Sequence, residues 1–501
     1  MKVLLIQPVK PKFDIQAADD WTLTRPFSLF FLASAIENNT DYEVEILDFE
    51  REDHQRTGLR SAVERSDPDV FGITATTFTR FDAIDVIREL RKMRPTAPIV
   101  VGGVHFMYCA EDTLREVPEV DVVVHGEGDV TIVKLLEAID KGTGLADTKG
   151  ISYRGDDGHM ITNQPQPLVP NLDEIPAYKK YAYEEYPEYL FNHPGRVPAV
   201  SVMSSRGCPF KCVFCSKAGM KYRVRDAERT VDEIEDLMAR FDVSAFNFLD
   251  LTFTANRKHV RAVCNELIKR ELNIQWWCES RVNIHLDLLD LMREAGCTSI
   301  AIGVESGSQR MLDTMSKGIT VEQVVAFTDK CKELGIVLQP YFMYSHRGEE
   351  YDDCLKTLEL ISVLEESTEL CSFQPAMIFP GTELERIARE EGKLPADFSW
   401  SKPYYSELNK QLDQLINTPL YIDKLSAEQM IELHRRKKMS AFAHTILKES
   451  PWSLVRKVCK SLANGRFYSD YLFSTGFYAH LMASAMRRLK PDRGAGARVA
   501  R

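Results

Sequence analysis

Three cysteines in one short stretch, Ser204-Ser205-Arg206-Gly207-Cys208-Pro209-Phe210-Lys211-Cys212-Val213-Phe214-Cys215, carry the clearest chemistry in the chain. Thiolates at this spacing can take three irons of a four-iron cluster and leave the fourth iron open. An open iron can accept a small molecule that chelates through an amine and a carboxylate. Zinc and inert buried thiols are the competing readings. Structural zinc takes a fourth ligand, usually from a second Cys/His pair, and no such pair follows at suitable spacing. Position favours the cluster, because the triplet follows the apolar run Ala199–Met203. In a barrel of parallel strands, reactive groups gather at the carboxyl ends.

The elements that must hold this loop form a repeating series. Strand patterns fall at Ala199–Met203, Ala245–Leu249, Ile274–Cys278, Ser299–Ile302, Val337–Tyr341 and Phe373–Ile378. Helical patterns lie between them, for example Val231–Phe241, Arg257–Arg270 and Val321–Leu334. Six β/α units over residues 196–395 predict a partial, (β/α)6 TIM-type barrel. A separate series occupies residues 1–145, with strands at Lys2–Ile6, Glu43–Leu47, Asp69–Ile73, Pro98–Val101 and Asp121–Val124. Strands alternating with helices indicate a Rossmann-like parallel sheet whose ligands bind beyond the carboxyl ends. Those ends are Thr74–Thr79, Gly102–His105 and His125–Asp129. Residues 146–195 read as a packed connecting segment with a Gly155–Gly158 turn, and residues 396–501 as a helical C-terminal region. The fold class expected is therefore α/β with a helical end.

With the triplet in place, the chain resembles the cobalamin-binding radical S-adenosylmethionine (SAM) enzymes, which pair a Rossmann-like cobalamin domain with a radical SAM barrel. The resemblance covers residues 1–395. It implies a [4Fe-4S] cluster on Cys208, Cys212 and Cys215, with Phe214 near the SAM adenine. Asp250, Arg281, Glu305 and Ser306 fall at successive strand ends where the family contacts SAM. Plainer readings stand beside these. Asp250 could cap the Thr252–Asn256 region, Glu305 could pair with a barrel lysine, and Arg281 could form a structural salt bridge. In the first module the resemblance places cobalamin against Thr76, Gly102, Gly103, His105, Gly126, Glu127 and Gly128. Taken alone, Gly126-Glu127-Gly128 is an ordinary turn, and His105 and His125 could be packing histidines. No D-x-H-x-x-G pattern is present, so the expectation is a cobalt without a protein histidine, bordered by Thr74–Thr79. One departure stands out: where the family has a G-x-P-G-E-T-like turn, this chain has Tyr344-Ser345-His346-Arg347-Gly348-Glu349-Glu350. His346 and Arg347 there are either loop residues or substrate contacts.

What the resemblance implies is a methyltransferase acting on an unactivated carbon. A reduced cluster cleaves SAM to methionine and a 5′-deoxyadenosyl radical, which removes a hydrogen from the substrate. The substrate radical then takes a methyl group from methylcobalamin. A flavodoxin- or ferredoxin-type partner supplies the electron. Oxidative cyclisation or ring rearrangement of a tetrapyrrole, lipid or natural product is the alternative outcome. A non-catalytic corrinoid carrier would have no use for the triplet. A methylthiotransferase fits worse, since those carry a further N-terminal cysteine triplet and residues 1–145 contain only Cys109.

Composition bounds the rest. Eleven cysteines in 501 residues are too sparse for a disulfide scaffold. No stretch has the roughly 18 apolar residues of a membrane span, and Val3–Ile6 is too short for a secretory signal. A cytoplasmic protein is expected. The net charge of −11 is uneven, because residues 431–501 hold 15 Lys and Arg against 4 Asp and Glu. That tail, with Arg435-Arg436-Lys437-Lys438 and an aromatic stretch at Phe467–Met486, reads in two ways. It is a solvated helical cap, or a peripheral contact with an anionic inner-membrane surface and a lipid-like substrate. No nucleic-acid motif accompanies the charge, and no nucleic-acid partner is expected.

Overall fold

The computed structural model describes residues 1–8, 26–178, 191–192, 198–364, 368, 371–412, 414 and 417–448. Two units are distinct, Met1–Ser426 and Ala427–Arg501.

Within the first unit, five short apolar runs become the parallel strands β1 (Lys2–Gln7), β2 (Glu43–Asp48), β3 (Val70–Thr74), β4 (Ile99–Gly102) and β5 (Val122–Val124). Their order is β2-β1-β3-β4-β5. Strands buried on both faces read as continuous Val, Ile and Leu runs, and β1 is buried at every residue after Lys2. The chain reverses direction across the sheet between β1 and β3, the crevice where such sheets bind ligands. The turn expected at Gly155–Gly158 joins two further strands, β6 (Ile151–Arg154) and β7 (Met160–Thr162), which extend the sheet antiparallel beyond β5.

The second sheet contains β8 (Phe191–Asn192), β9 (Pro198–Val202), β12 (Ala245–Phe248), β13 (Gln275–Ser280), β14 (Cys297–Glu305), β15 (Val337–Tyr344) and β16 (Ser372–Pro375). From β9 to β16 every pairing is parallel, and only β8 runs the other way. This is the partial barrel expected from six β/α repeats. Between β9 and β12 lies an antiparallel hairpin that the repeat pattern does not announce, β10 (Ser205–Cys208) with β11 (Met220–Val224). Local capping fixes where the flanking helices start. Thr320 and Gln323 form a reciprocal capping box on the helix Val321–Leu334, and Asn256 caps the helix that carries His259.

The C-terminal expectation needs one refinement. Between Leu394 and Leu425 the only described helix is Glu407–Gln411. Much of the remainder is an irregular strap bound to the first sheet's loops. Ser399 Oγ and the Ser401 amide both donate to Asp112 Oδ2, at 3.0 and 2.9 Å. The fully buried Arg80 donates to the carbonyls of Trp400 and Asn417. In the second unit, the helix Ala427–Lys448 carries the basic run; residues 449–501, with most of the tail and Cys459, lie outside the described residues.

Candidate active site at the cysteine hairpin

Gly207 sets the geometry of the triplet. It has φ +87°, and a Cβ there would lie 2.3 Å from the Lys221 carbonyl oxygen. Only glycine tolerates that close approach in the left-handed region. The β10–β11 register slips between Arg206 and Cys208, and such a bulge re-aims the residue that follows it. Cys208 therefore ends its strand facing the loop that holds Cys212 and Cys215. The loop is pinned from outside, with the Val213 amide on the Met315 carbonyl at 3.2 Å and the Leu384 amide on the Val213 carbonyl at 2.8 Å.

All three thiols are free, and each meets a polar group. The Arg281 guanidinium donates to Cys212 Sγ at 3.4 Å, the Lys217 amide to Cys215 Sγ at 3.4 Å, and Thr252 Oγ1 lies 3.6 Å from Cys208 Sγ. Arg281 also stacks over Phe210 at 4.0 Å. Burial raises the Cys215 thiol above its ordinary pKa, partly opposed by the Lys217 amide. Among the described residues no three His, Cys, Asp or Glu side chains converge on a single ion. Thiolates that each take a separate iron need not meet at a point. Soft donors on one glycine-bulged loop, beside a buried cation, fit an anionic iron–sulfur cluster.

The other strand-end residues divide. Asp250 is 1% exposed and accepts from both the amide and the hydroxyl of Ser204, at 3.1 Å each. His259 Nε2 reaches the same hydroxyl at 2.8 Å. Burial lifts Asp250 to a pKa of about 6 against these donors, and burial lowers His259 to about 4. Asp250 thus clamps the start of the cysteine hairpin; it caps nothing at Thr252, whose helical turn has no side-chain cap. Glu305, at φ +75°, accepts from Lys317 Nζ at 2.6 Å with both side chains buried. Lys317 lies 5.8 Å from the Phe214 ring centre, so this pair underlies the aromatic of the triplet. The Ser306 hydroxyl meets Thr357 Oγ1 at 3.1 Å and accepts from the Ser308 amide. His346 is 1% exposed, lies between Phe214 and Tyr421, and burial lowers its pKa to about 4. Arg347 instead pairs with Glu391 near the surface.

At the strand ends of the first module, most of the singled-out residues already have protein partners. Gly103 (φ +86°) would bring a Cβ to 2.5 Å from Thr74 Oγ1, so its freedom serves contact between two loops. Gly102 sits against Val124, and a Cβ on Gly128 would meet Leu32 at 2.9 Å. His105 is fully buried edge-on to Trp400; its Nδ1 lies 3.3 Å from Thr77 Oγ1 and its Nε2 has no partner among the described residues. His125 bridges the Met107 carbonyl and Ser152 Oγ. Gly126 (φ +65°) has open space around it, and Thr76 is exposed, its hydroxyl 3.3 Å from that of Thr79. Exposed threonine and bare backbone at the sheet's crevice are the features there that suit a broad planar cofactor.

Glu127 has another role, which sequence reasoning missed. It accepts from Arg206 at 3.2 Å and from Arg223, while Asp129 accepts both terminal nitrogens of Arg206 at 2.7 and 3.2 Å. Arg206 and Arg223 belong to the cysteine hairpin, Arg206 two residues before Cys208. Tyr108 adds a second link through its hydroxyl to the Ser216 carbonyl at 2.5 Å. The first module therefore latches directly onto the loop of the triplet. Opposite charges at two strand ends were the available signal, but 77 residues of separation hid the pairing.

Comparisons with known proteins agree with this architecture. The Radical SAM superfamily model matches residues 202–361, and the B12 binding domain model matches residues 22–136. An uncharacterised methyltransferase of Pyrococcus horikoshii is 32% identical over 443 residues, which span 88% of this chain and 94% of that protein. An anaerobic magnesium-protoporphyrin IX monomethyl ester cyclase of Rubrivivax gelatinosus is 31% identical, over 72% of this chain and 65% of the relative. Among solved structures, the cobalamin-dependent SAM radical enzyme OxsB, with aqua-cobalamin and SAM bound, superposes with a TM-score of 0.69 at 17% identity, over 97% of this chain and 75% of that one.

Proposed function

The chain belongs to the cobalamin-dependent radical SAM family, and within it we propose a methyltransferase that modifies an unactivated carbon of a small molecule. The observation that carries this reading is the latch. A cysteine hairpin suited to a cluster and a Rossmann-like module are joined by Arg206, Glu127 and Asp129, so the two cofactors of the family have one shared boundary. When bound, the cluster with SAM supplies a radical that removes hydrogen, and the corrinoid supplies the methyl group.

The chain's own residues position and shield. Cys208, Cys212 and Cys215 hold the cluster, and Arg281 offsets its negative charge from a buried position. Phe214, backed by Lys317 and His346, gives a flat face for the adenine of SAM. Asp250 and Ser306 act through the backbone they clamp. Thr76 and Gly126 would border the corrinoid, while His105 stays enclosed against Trp400. A flavodoxin- or ferredoxin-type protein delivers electrons. The basic run at 435–438 and the tail beyond it favour peripheral membrane contact; no described helix is long and apolar enough to cross a membrane.

The cyclase relative supports a second outcome from the same cofactors, loss of hydrogens with ring closure. Anaerobic reconstitution with iron, sulfide and hydroxocobalamin tests the reading. SAM should be cleaved to 5′-deoxyadenosine, and mass spectrometry of candidate substrates should show a methyl gain. Hydrogen loss without methyl gain would transfer the assignment to the cyclase outcome. Liposome sedimentation that is unchanged on deleting 431–501 would remove the membrane role.

A further inference from the structure

The barrel strands alternate in a way that separates a packed face from a lumen. Along β13, β14 and β15 one set of residues is buried, while Glu279, Ala301, Gly303, Gln339 and Tyr341 retain access to solvent. The register places them in two levels. Glu279 pairs with Ala301, which pairs with Gln339; one pleat higher, Gly303 pairs with Tyr341. Arg281, the guanidinium that touches Cys212, follows directly after the end of β13 at Ser280, two residues beyond Glu279 toward the strand's carboxyl end. Glu279 therefore lies one pleat deeper into the barrel than the cysteine site. At the level of Glu279 the central strand offers only the Ala301 methyl group, while the Glu305–Lys317 pair covers Gly303 one pleat higher.

The Glu279 side chain makes no hydrogen bond or ion pair with any described residue. The walls around it raise its pKa by desolvation although the side chain keeps solvent contact, and no cation among the described residues offsets this. Tyr341 is 44% exposed, an unusual state for an aromatic inside a concave sheet, and its phenol is raised by burial and by the Glu279 charge it faces. The nearby cations already have partners, Lys317 on Glu305 and Arg281 on Cys212 and Asn283. A carboxylate in a lumen is costly unless a partner supplies positive charge or donors.

We propose that Glu279, facing Tyr341 and Gln339 across the small side chain of Ala301, recognises a protonated nitrogen on the substrate. This deepens the methyltransferase reading and rests on it, because it takes the lumen beneath the cysteine loop as the place where substrate binds. The substrate class is then an amine- or guanidine-bearing small molecule with an apolar part that lies on Tyr341. A bare polycyclic hydrocarbon lipid would leave the carboxylate without a partner.

An isosteric pair of probes tests this without knowledge of the substrate. Benzylammonium and benzyl alcohol are titrated calorimetrically into the anaerobic holoenzyme carrying cluster, cobalamin and SAM. A charge-assisted contact should make the amine bind about tenfold more tightly. Glu279→Gln should abolish that preference while the dissociation constant for SAM stays that of the wild type. Tyr341→Phe should weaken both probes and keep the amine preference. Equal binding of the two probes, absence of saturable amine binding, or a preference that survives Glu279→Gln overturns the proposal. So does a parallel loss of SAM affinity in Glu279→Gln, which would assign the carboxylate to the cationic SAM instead. Failure of the methyltransferase reading shows separately, as absent SAM cleavage in the wild type.

Discussion

At the mouth of the barrel, residues picked out by type and spacing stand together: three thiols on one hairpin, with Arg281, just beyond β13, against Cys212. At the strand ends of the first module, residues picked out the same way are mostly taken up by the protein itself. His105 is enclosed against Trp400, Gly103 serves a loop crossing, and Glu127 holds two arginines of the cysteine hairpin. The difference follows from the kind of signal. A triplet within one loop encodes its own geometry, since eight consecutive residues cannot place their side chains far apart. A lone histidine or glycine at a strand end encodes only a local need, and packing supplies that need more often than a cofactor does.

The sharpest test of the contrast removes one thiol. Cys212→Ala should abolish SAM cleavage by the reconstituted protein, read as 5′-deoxyadenosine, and should remove the iron–sulfur absorbance. Retained cleavage would end the cluster assignment, and the barrel would then be no more legible than the first module.

Strand positions were legible in both modules for a common reason. Each was set off as a short apolar run between helical patterns; in the first module, strands buried on both faces such as Val122–Val124 are apolar throughout, whereas β13, β14 and β15 keep one accessible face. The hairpin Ser205–Cys208 with Met220–Val224 escaped notice because its first strand is polar and small, and the alternation of Met220, Tyr222 and Val224 with Lys221 and Arg223 lies outside the β/α repeat. Equally hidden was the strap, where Arg80 meets the Trp400 carbonyl across 320 residues. Backbone carbonyls carry no residue identity, so no sequence pattern records such a contact. At the site, the cysteines were singled out by their spacing and Arg281 through the family resemblance, and the structure puts Arg281 against Cys212. Lys317 under Phe214, and Ser204 under Asp250, depend on how loops fold back, which spacing does not specify.

The latch between modules should give the next largest effect. Arg206→Met leaves Asp129 largely buried without its ion-pair partner, while Glu127 keeps Arg223. Breaking a buried pair from one side should destabilise the fold by about 3 kcal/mol. Denaturant unfolding should show a lower midpoint, and the cluster's electron paramagnetic resonance line shape should lose any response to added hydroxocobalamin. A midpoint like the wild type's would mean that Tyr108 and the strap hold the modules together without the ion pairs.

Paired glycine substitutions separate packing from cofactor contact. Gly103→Ala meets Thr74 Oγ1 at 2.5 Å in a left-handed conformation, and should cost about 2 kcal/mol through combined strain and crowding. Gly126→Ala has the same backbone problem with open space around it, so about 1 kcal/mol is expected. Its main effect should appear in hydroxocobalamin affinity. If Gly103→Ala instead weakens cobalamin binding with little change in stability, the loop crossing is a cofactor surface after all.

The smallest effect distinguishes a packing histidine from a metal ligand. Burial, reinforced by Arg80, lowers His105 from 6.5 to a pKa of about 3. The unfolded chain therefore takes up a proton on this ring below pH 6.5 that the native protein refuses. Stability from His105 is fully present above that pH and is lost as pH falls toward the folded value. Within the window the slope is about 1.4 kcal/mol per pH unit for one proton. His259 and His346 shift in the same direction, so only a difference between variants isolates His105. Urea midpoints of wild type and His105→Gln, followed from neutral pH down to about pH 5, should converge as the wild type loses its extra stability. The convergence should be identical with and without hydroxocobalamin, because an imidazole shut behind Trp400 does not reach cobalt. A slope that changes on adding the corrinoid would make His105 a ligand, and would give the first module the same direct legibility as the cysteine triplet.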